Sequence, residues 1–396
     1  MKAHEFWYRL LVLFVAIALT LWAVPCFAGD PGVFPDKIIV GSPADQSGPT
    51  AFATRAGIPA LKAYFAKAFD EKIYPRKIEI VQEDGAYNPA MHIKAAKLLI
   101  DKHKVFCFIL SSGTAPTLAI NPILEQEKIP IIGQYTHAES IAVPPKKYMF
   151  QMHTTYKDQV KIAVDYIVEK EGKDVKIGIY YQDDGMGYDG LEGLREQMKK
   201  YGIKPVAEVS YKRGVIDVSS HALKLKAANT DYVIDVSLWV DAAKLLKEAK
   251  KLGWKPQFFG IGPAMDENIF KMAGDAMYYG KPFMGVAIQH PWWGDSWGAK
   301  EYRATLNKYY PDAPKGTFSQ WSYGYGKILV EGLRRVEGEL TREKVVKAVE
   351  SFKGFDTGVF PPLTWGPNVR KGARSAQIWT TKGTSFVPIT GWRDVK

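Results

Sequence analysis

Val105-Phe106-Cys107-Phe108-Ile109-Leu110-Ser111-Ser112-Gly113-Thr114-Ala115-Pro116-Thr117-Leu118-Ala119-Ile120-Asn121 reads as an all-apolar strand that runs into small hydroxyl residues and then opens a helix. Ser111, Ser112 and Thr114 offer hydroxyl donors, Gly113 lets backbone approach a guest, and Pro116 suits the first helical position. The unpaired N–H groups of such a turn favour an anion such as a carboxylate. The same residue types also make an ordinary helix cap, so the rest of the chain must decide.

Outward from this stretch, apolar runs alternate with amphipathic ones, the pattern of a doubly wound α/β structure with mainly parallel sheets. Strands are expected at Lys37–Gly41, Lys77–Val81, Val105–Leu110 and Ile129–Ile132, with a further one at Tyr148–Met152. A helix over Pro89–His103 has Asn88 as its cap and Ile93, Ala96, Leu99 and Ile100 on one face. The alternation restarts with strands at Val175–Tyr181, Val206–Tyr211, Tyr232–Val236 and Gln257–Gly260, and Ser237-Leu238-Trp239 leads into a helix over Val240–Lys251. Two lobes are therefore expected, each presenting the carboxyl ends of its strands, where open α/β sheets bind ligands. Facing one another, those edges would make a cleft.

A chain of 396 residues is too long for one typical core, and 46% hydrophobic with 24% charged residues is ordinary for a globular protein. Residues 1–28 read as a secretory signal peptide: Lys2 and Arg9 precede an uncharged run from Leu10 to Val24, and cleavage is expected after Ala28. The competing use of Cys26 as a lipoprotein acylation site is poorly served by Pro25 before it. Removal of Lys2, Arg9 and Glu5 takes the formal net charge from +11 to about +10. The cations are spread along helices rather than clustered with aromatic platforms, so nucleic acid is not an expected partner. Cys107 would be the one remaining cysteine, and it sits within the apolar strand.

Catalytic motifs fail on inspection. Gly185-Met186-Gly187-Tyr188-Asp189-Gly190 follows a strand and opens a helix, but Asp183 and Asp184 would oppose a pyrophosphate, and Glu208 falls mid-strand rather than at a strand end. Gly294-Asp295-Ser296-Trp297-Gly298 spells a nucleophile elbow, yet the last histidine is His290, so no imidazole follows Ser296 to activate it. There is no Gly-Lys-Ser/Thr loop, no His-Glu-x-x-His and no cysteine pair for zinc. No enzyme activity, cofactor or metal is expected.

The segments resemble the leucine/isoleucine/valine-binding family of periplasmic receptors, the solute-binding subunits of ABC importers. The likeness rests on Val40-Gly41-Ser42 with Ser47-Gly48-Pro49, on Glu83-Asp84-Gly85-Ala86-Tyr87-Asn88-Pro89, and on Ser111-Ser112-Gly113-Thr114. It continues through Gly185 to Gly190, Gln257-Phe258-Phe259-Gly260, Met272-Ala273-Gly274-Asp275-Ala276 and Ser322-Tyr323-Gly324-Tyr325-Gly326. The order and spacing of these segments carry the resemblance more than any one of them does.

The resemblance implies a type I periplasmic binding protein: two Rossmann-like lobes joined by three crossovers, closing on a small ligand by hinge motion. It assigns 29–153 plus about 285–355 to the first lobe and 154–284 plus about 356–396 to the second. Ser111, Ser112 and Thr114 match the family's carboxylate cradle, joined by Gln134, Tyr135 and Thr136, while Tyr156, Met186 and Trp239 match contact positions. By gap-free alignment from Gln257 to Ala276, the family's acidic position for an α-ammonium falls on Gly262. Either another acid such as Asp184 or Asp235 then serves, or the ligand lacks that group. The implied partners are a small carboxylate-bearing ligand (a branched-chain or related amino acid, an amide or an aromatic acid) and ABC permease subunits, with a monomer in the periplasm. The alternatives are a sensory receptor of the same fold and a Rossmann-type enzyme.

Overall fold

A computed structural model describes residues 29–396, so the expected leader, residues 1–28, lies outside the described residues. The first layer contains β1 (Lys37–Ser42), α1 (Ala51–Asp70), β2 (Lys77–Gln82), α2 (Pro89–Asp101), β3 (Cys107–Ser112), α3 (Thr114–Ala119), α4 (Asn121–Glu127), β4 (Ile131–Tyr135) and β5 (Met149–Phe150). Its five strands are all parallel, in the order β2-β1-β3-β4-β5. Asn88 caps α2 as expected, its Oδ1 accepting from the N–H groups of Ala90 (2.9 Å) and Met91 (3.2 Å), with proline in the first turn.

The second layer contains α5 (Tyr156–Glu171), β6 (Ile177–Gln182), α6 (Gly185–Tyr201), β7 (Ala207–Tyr211), α7 (Ser219–Ala227), β8 (Tyr232–Val236), α8 (Trp239–Lys251), β9 (Gln257–Ile261), α9 (Asn268–Ala273) and β10 (Met284–Ala287). The chain then returns through α10 (Trp297–Tyr309), α11 (Thr317–Arg334) and α12 (Arg342–Glu350) and ends in β11 (Gln377–Lys382) and β12 (Ser385–Pro388). The seven strands lie in the order β12-β11-β10-β9-β8-β6-β7; β6 to β10 are parallel, while the β10–β11 and β11–β12 pairings are antiparallel. Helix α11 packs on α1 and on β4, so the chain passes between the layers three times: after β5, after β10 and after α12.

Each sheet reverses its strand order once, between β1 and β3 in the first and between β6 and β8 in the second. A crevice opens outside the carboxyl ends of the strands at such a point. The two crevices face each other, and this placement is what makes the site.

Several sequence expectations shift. The central apolar strand runs Cys107–Ser112 rather than Val105–Leu110, so both serines belong to the ladder, pairing in register Ser111 with Gln134 and Ser112 with Tyr135. The segment Gly185–Gly190 lies within α6 rather than before it, with Asp184 accepting from Met186 N–H at 3.0 Å as the cap. Ser296 caps α10, accepting from Ala299 N–H at 3.3 Å, which is a structural use for the serine of the false elbow. Residues up to Lys371, expected in the second lobe, stay beside β5: Lys371 bridges Gln151, and Trp365 Nε1 donates to the Gln151 carbonyl at 3.1 Å. Arg370 anchors this segment, its buried guanidinium donating to the carbonyls of Lys146, Lys147 and Gly366 and to Glu350.

Candidate functional site

The polar wall of the site begins with a loop held by one buried carboxylate. Asp45 accepts from Thr50 N–H and Thr50 Oγ1, each at 2.7 Å, while its own N–H donates to Ser112 Oγ at 3.1 Å. The loop after β1 is thereby tied to the end of β3, and Thr50 and Ser112 come to the same cavity. Gly113 follows at φ +85° and ψ 153°, a conformation reserved for glycine, and a Cβ there would run into the Tyr87 ring. Thr114 then opens α3, with its Oγ1 2.7 Å from Thr136 Oγ1. When Thr136 donates, the Thr114 proton is free for an acceptor in the cavity.

The opposite wall comes from the second layer. Met186 in the first turn of α6, Leu238 and Trp239 at the start of α8, Pro263 after β9 and Tyr156 at the start of α5 line the same space. Trp239 packs edge-on to Phe52 (4.4 Å) and Phe318 (5.5 Å), and Phe318 in turn meets Tyr135 at 5.1 Å. Only about 20 Å³ remains enclosed, roughly room for one water molecule. The lobes also touch at the rim. Arg213 Nη1 donates to the Tyr87 carbonyl at 2.9 Å, with its guanidinium 4.4 Å from the ring centroid, and the Glu139 N–H donates to Asp189 at 3.1 Å. The arrangement is closed.

The cavity carries no formal charge among its lining residues. Burial pushes the Tyr87 phenol up to about 12 and holds the phenols of Tyr135 and Tyr156 well above their ordinary range, so all three stay neutral donors at physiological pH. Behind Tyr156 the His137 ring stacks at 4.8 Å, and burial depresses its pKa to about 3, so the imidazole is neutral too. An anion entering here would therefore meet hydroxyls and backbone rather than a cation.

Of the residues expected from sequence, Ser112, Thr114, Tyr135, Tyr156, Met186 and Trp239 line the cavity. Ser111 does not: its hydroxyl is spent 2.7 Å from both His92 Nε2 and Thr117 Oγ1, behind the strand. Leu110 at φ +59° breaks the pleat just before the two serines, so the alternation of the apolar run does not say which one faces the cleft. Gln134 is also buried away from the cavity, its amide without a hydrogen-bond partner among the described residues. Thr136 acts only behind Thr114. Gly262 sits at φ +57° with its N–H donating to Gln159 Oε1 at 3.0 Å, and a Cβ there would lie 2.6 Å from Tyr156 Cε1. A carboxylate side chain at that position would displace the Tyr156 ring.

Neither alternative acid lines the cavity. Asp184 caps α6 and pairs with Arg213 at 2.8 Å. Asp235 is fully buried on β8, with both oxygens unpartnered among the described residues, and burial raises its pKa to about 7. Sequence reasoning did not single out Thr50, Tyr87 or Phe318. Tyr87 had a signal, since it sits in the turn before the Asn88 cap; Phe318 had none, being one aromatic among many on α11.

Comparison with known proteins agrees with this architecture. The family model for periplasmic binding proteins matches residues 37–384. A Leu/Ile/Val-binding protein homolog 7 of Brucella abortus is 24% identical over 274 residues, 66% of this chain and 68% of that protein. A branched-chain amino acid ABC transporter protein from Thermus thermophilus, solved with bound valine, superposes with TM-score 0.79 at 23% identity, covering 91% of this chain and 96% of the other. A fatty acid ABC transporter substrate-binding protein from Thermomonospora curvata superposes with TM-score 0.82 at 21% identity, covering 92% and 94%.

Proposed function

The chain belongs to the periplasmic binding protein family, whose members bind substrates rather than transform them, and from that premise we propose that it captures a small carboxylate-bearing ligand between its lobes and delivers it to a membrane permease. The observation that carries this reading is the Ser112-Gly113-Thr114 turn at the end of β3, set directly across the cavity from Tyr156, Met186 and Trp239. Valine and a fatty acid, named for two structural neighbours, share a carboxylate and little else, which matches a cradle of neutral donors beside an adaptable apolar wall.

Capture begins on the first lobe, where Ser112, Thr114 and the first-turn N–H groups take the carboxylate. Closure follows as Trp239 and Met186 cover the remainder, and the closed form is what a permease would recognise. A ligand shifts this equilibrium only by its extra affinity for the closed state. Mass spectrometry of the small molecule released on denaturation identifies the ligand, and a carboxylic acid is expected. Small-angle scattering with and without it should show contraction of the parent and a weaker contraction of Trp239→Ala. A variant that contracts as fully as the parent removes Trp239 from the closing step.

A further inference from the structure

Beyond the aromatic partition the cleft continues outward. A groove of about 430 Å³ lies against Phe52 and Phe318, the rings that shut the inner cavity, and is walled by α1 and the start of α11 on one side and by Asp266 and Glu267 on the other. Because Trp239 belongs to the second lobe and Phe52 and Phe318 to the first, separating the lobes opens one space into the other.

Asp266 is nearly covered by protein, 3% exposed, yet lines this groove. Both bonds from Asn268, N–H at 2.9 Å and Nδ2 at 2.6 Å, end on Oδ1, so Oδ2 carries no bond among the described residues. Its position is tied to the inner site: the Asp266 N–H donates to the carbonyl of Pro263, which lines the inner cavity. A second group points the same way. Ser319 Oγ is fully buried and lines the groove, with the Tyr302 hydroxyl as its neighbour. Burial, reinforced by the neighbouring Glu267 carboxylate, raises the Asp266 pKa, and a bound cation would relieve that strain. Arg55 and Lys315 also border the groove, but Arg55 is solvent-exposed and Lys315 half-buried, so neither is poised as Asp266 is.

We propose that Asp266, bordering the groove beyond the aromatic partition, supplies the countercharge for the far end of the ligand, so that the ligand is a carboxylic acid whose ammonium or amide donor lies several bonds from its carboxylate, not an α-amino acid. This rests on the reading of Ser112 and Thr114 as the carboxylate cradle. The Tyr156 ring occupies the space that a side chain at position 262 would need, and the acid at 266 borders the part of the cleft that a longer molecule reaches.

Calorimetric titration of the intact protein with ε-aminocaproate, norleucine and caproate tests it, since the three share one carbon skeleton with the amine remote, adjacent or absent. Binding of ε-aminocaproate about tenfold tighter than either of the others is expected, and Asp266→Asn should collapse that preference to about twofold or less, circular dichroism confirming that the variant is folded. Should the variant not fold, the ranking of the three acids on the parent decides. Norleucine or caproate binding as tightly as ε-aminocaproate overturns the remote-donor inference while leaving the carboxylate cradle standing. Adipate binding tighter than ε-aminocaproate overturns it in favour of Arg55 and Lys315, and no binding by any of these acids overturns the inference and the cradle together.

Discussion

Across the cavity the first lobe presents hydroxyls held by neighbouring polar groups, whereas the second presents large apolar side chains in front of a buried, unpaired carboxyl. Ser112 accepts from Asp45 N–H, Thr50 rests on the Asp45 carboxylate and Thr114 on Thr136, so each hydroxyl is held in place by its neighbours. Met186, Leu238 and Trp239 sit instead on helix starts and act by filling space. Deeper in the second lobe, the Asp235 carboxyl lies near Tyr180, whose hydroxyl is likewise unpartnered among the described residues, and Asp241. The contrast is between a buried carboxylate that its neighbours satisfy, Asp45, and one that they do not, Asp235.

The sharpest way to break the comparison is Gly113→Ala in the first lobe. The left-handed backbone and the Tyr87 ring together should cost roughly 4 kcal/mol, seen as loss of ligand-induced thermal stabilisation and a lowered melting temperature. Retained binding would mean that the cradle is not rigid. The second lobe should answer to pH. The Asp235 pKa is raised from 3.8 in the unfolded chain to about 7 in the folded state, so the stability tied to its protonated form is complete below the lower value and lost as pH rises through the upper one. Relative to the parent, Asp235→Asn should therefore gain on the order of 3 kcal/mol between about pH 4 and pH 8 in denaturant melts, whatever constant cost its own amide adds. A flat difference would place the carboxyl in contact with water or a partner. The smallest effect is expected at the rim, where Arg213→Ala removes the cation–π contact and the hydrogen bond to Tyr87; about 1 kcal/mol, or a fivefold faster dissociation by stopped-flow, is expected.

Much of this was legible in the chain because it depends on local pattern. The apolar strand ending in hydroxyls, the Asn88-Pro89 start of α2 and the absence of a histidine after Ser296 each carry their meaning within a few residues, and they sufficed for the α/β layers, for hydroxyls at the end of β3 and for setting the elbow motif aside. Which serine of Ser111-Ser112 reaches the cavity was not legible, because Leu110 at φ +59° interrupts the alternation that would have told them apart. Phe52 and Phe318 were invisible for a different reason: they sit 266 positions apart and meet only when α11 returns to pack on α1.

By itself the sequence determined the two-layer architecture and the hydroxyl-rich strand end, since both are written in side-chain type and short-range spacing; the glycine at 262 gained its meaning only through the family resemblance. Only the tertiary structure decided that the Tyr156 ring fills the space beside Gly262, that Asp266 borders an outer groove, and that an aromatic partition divides the cleft. Those are relations between segments distant in the chain, set by how two sheets present the carboxyl ends of their strands to each other.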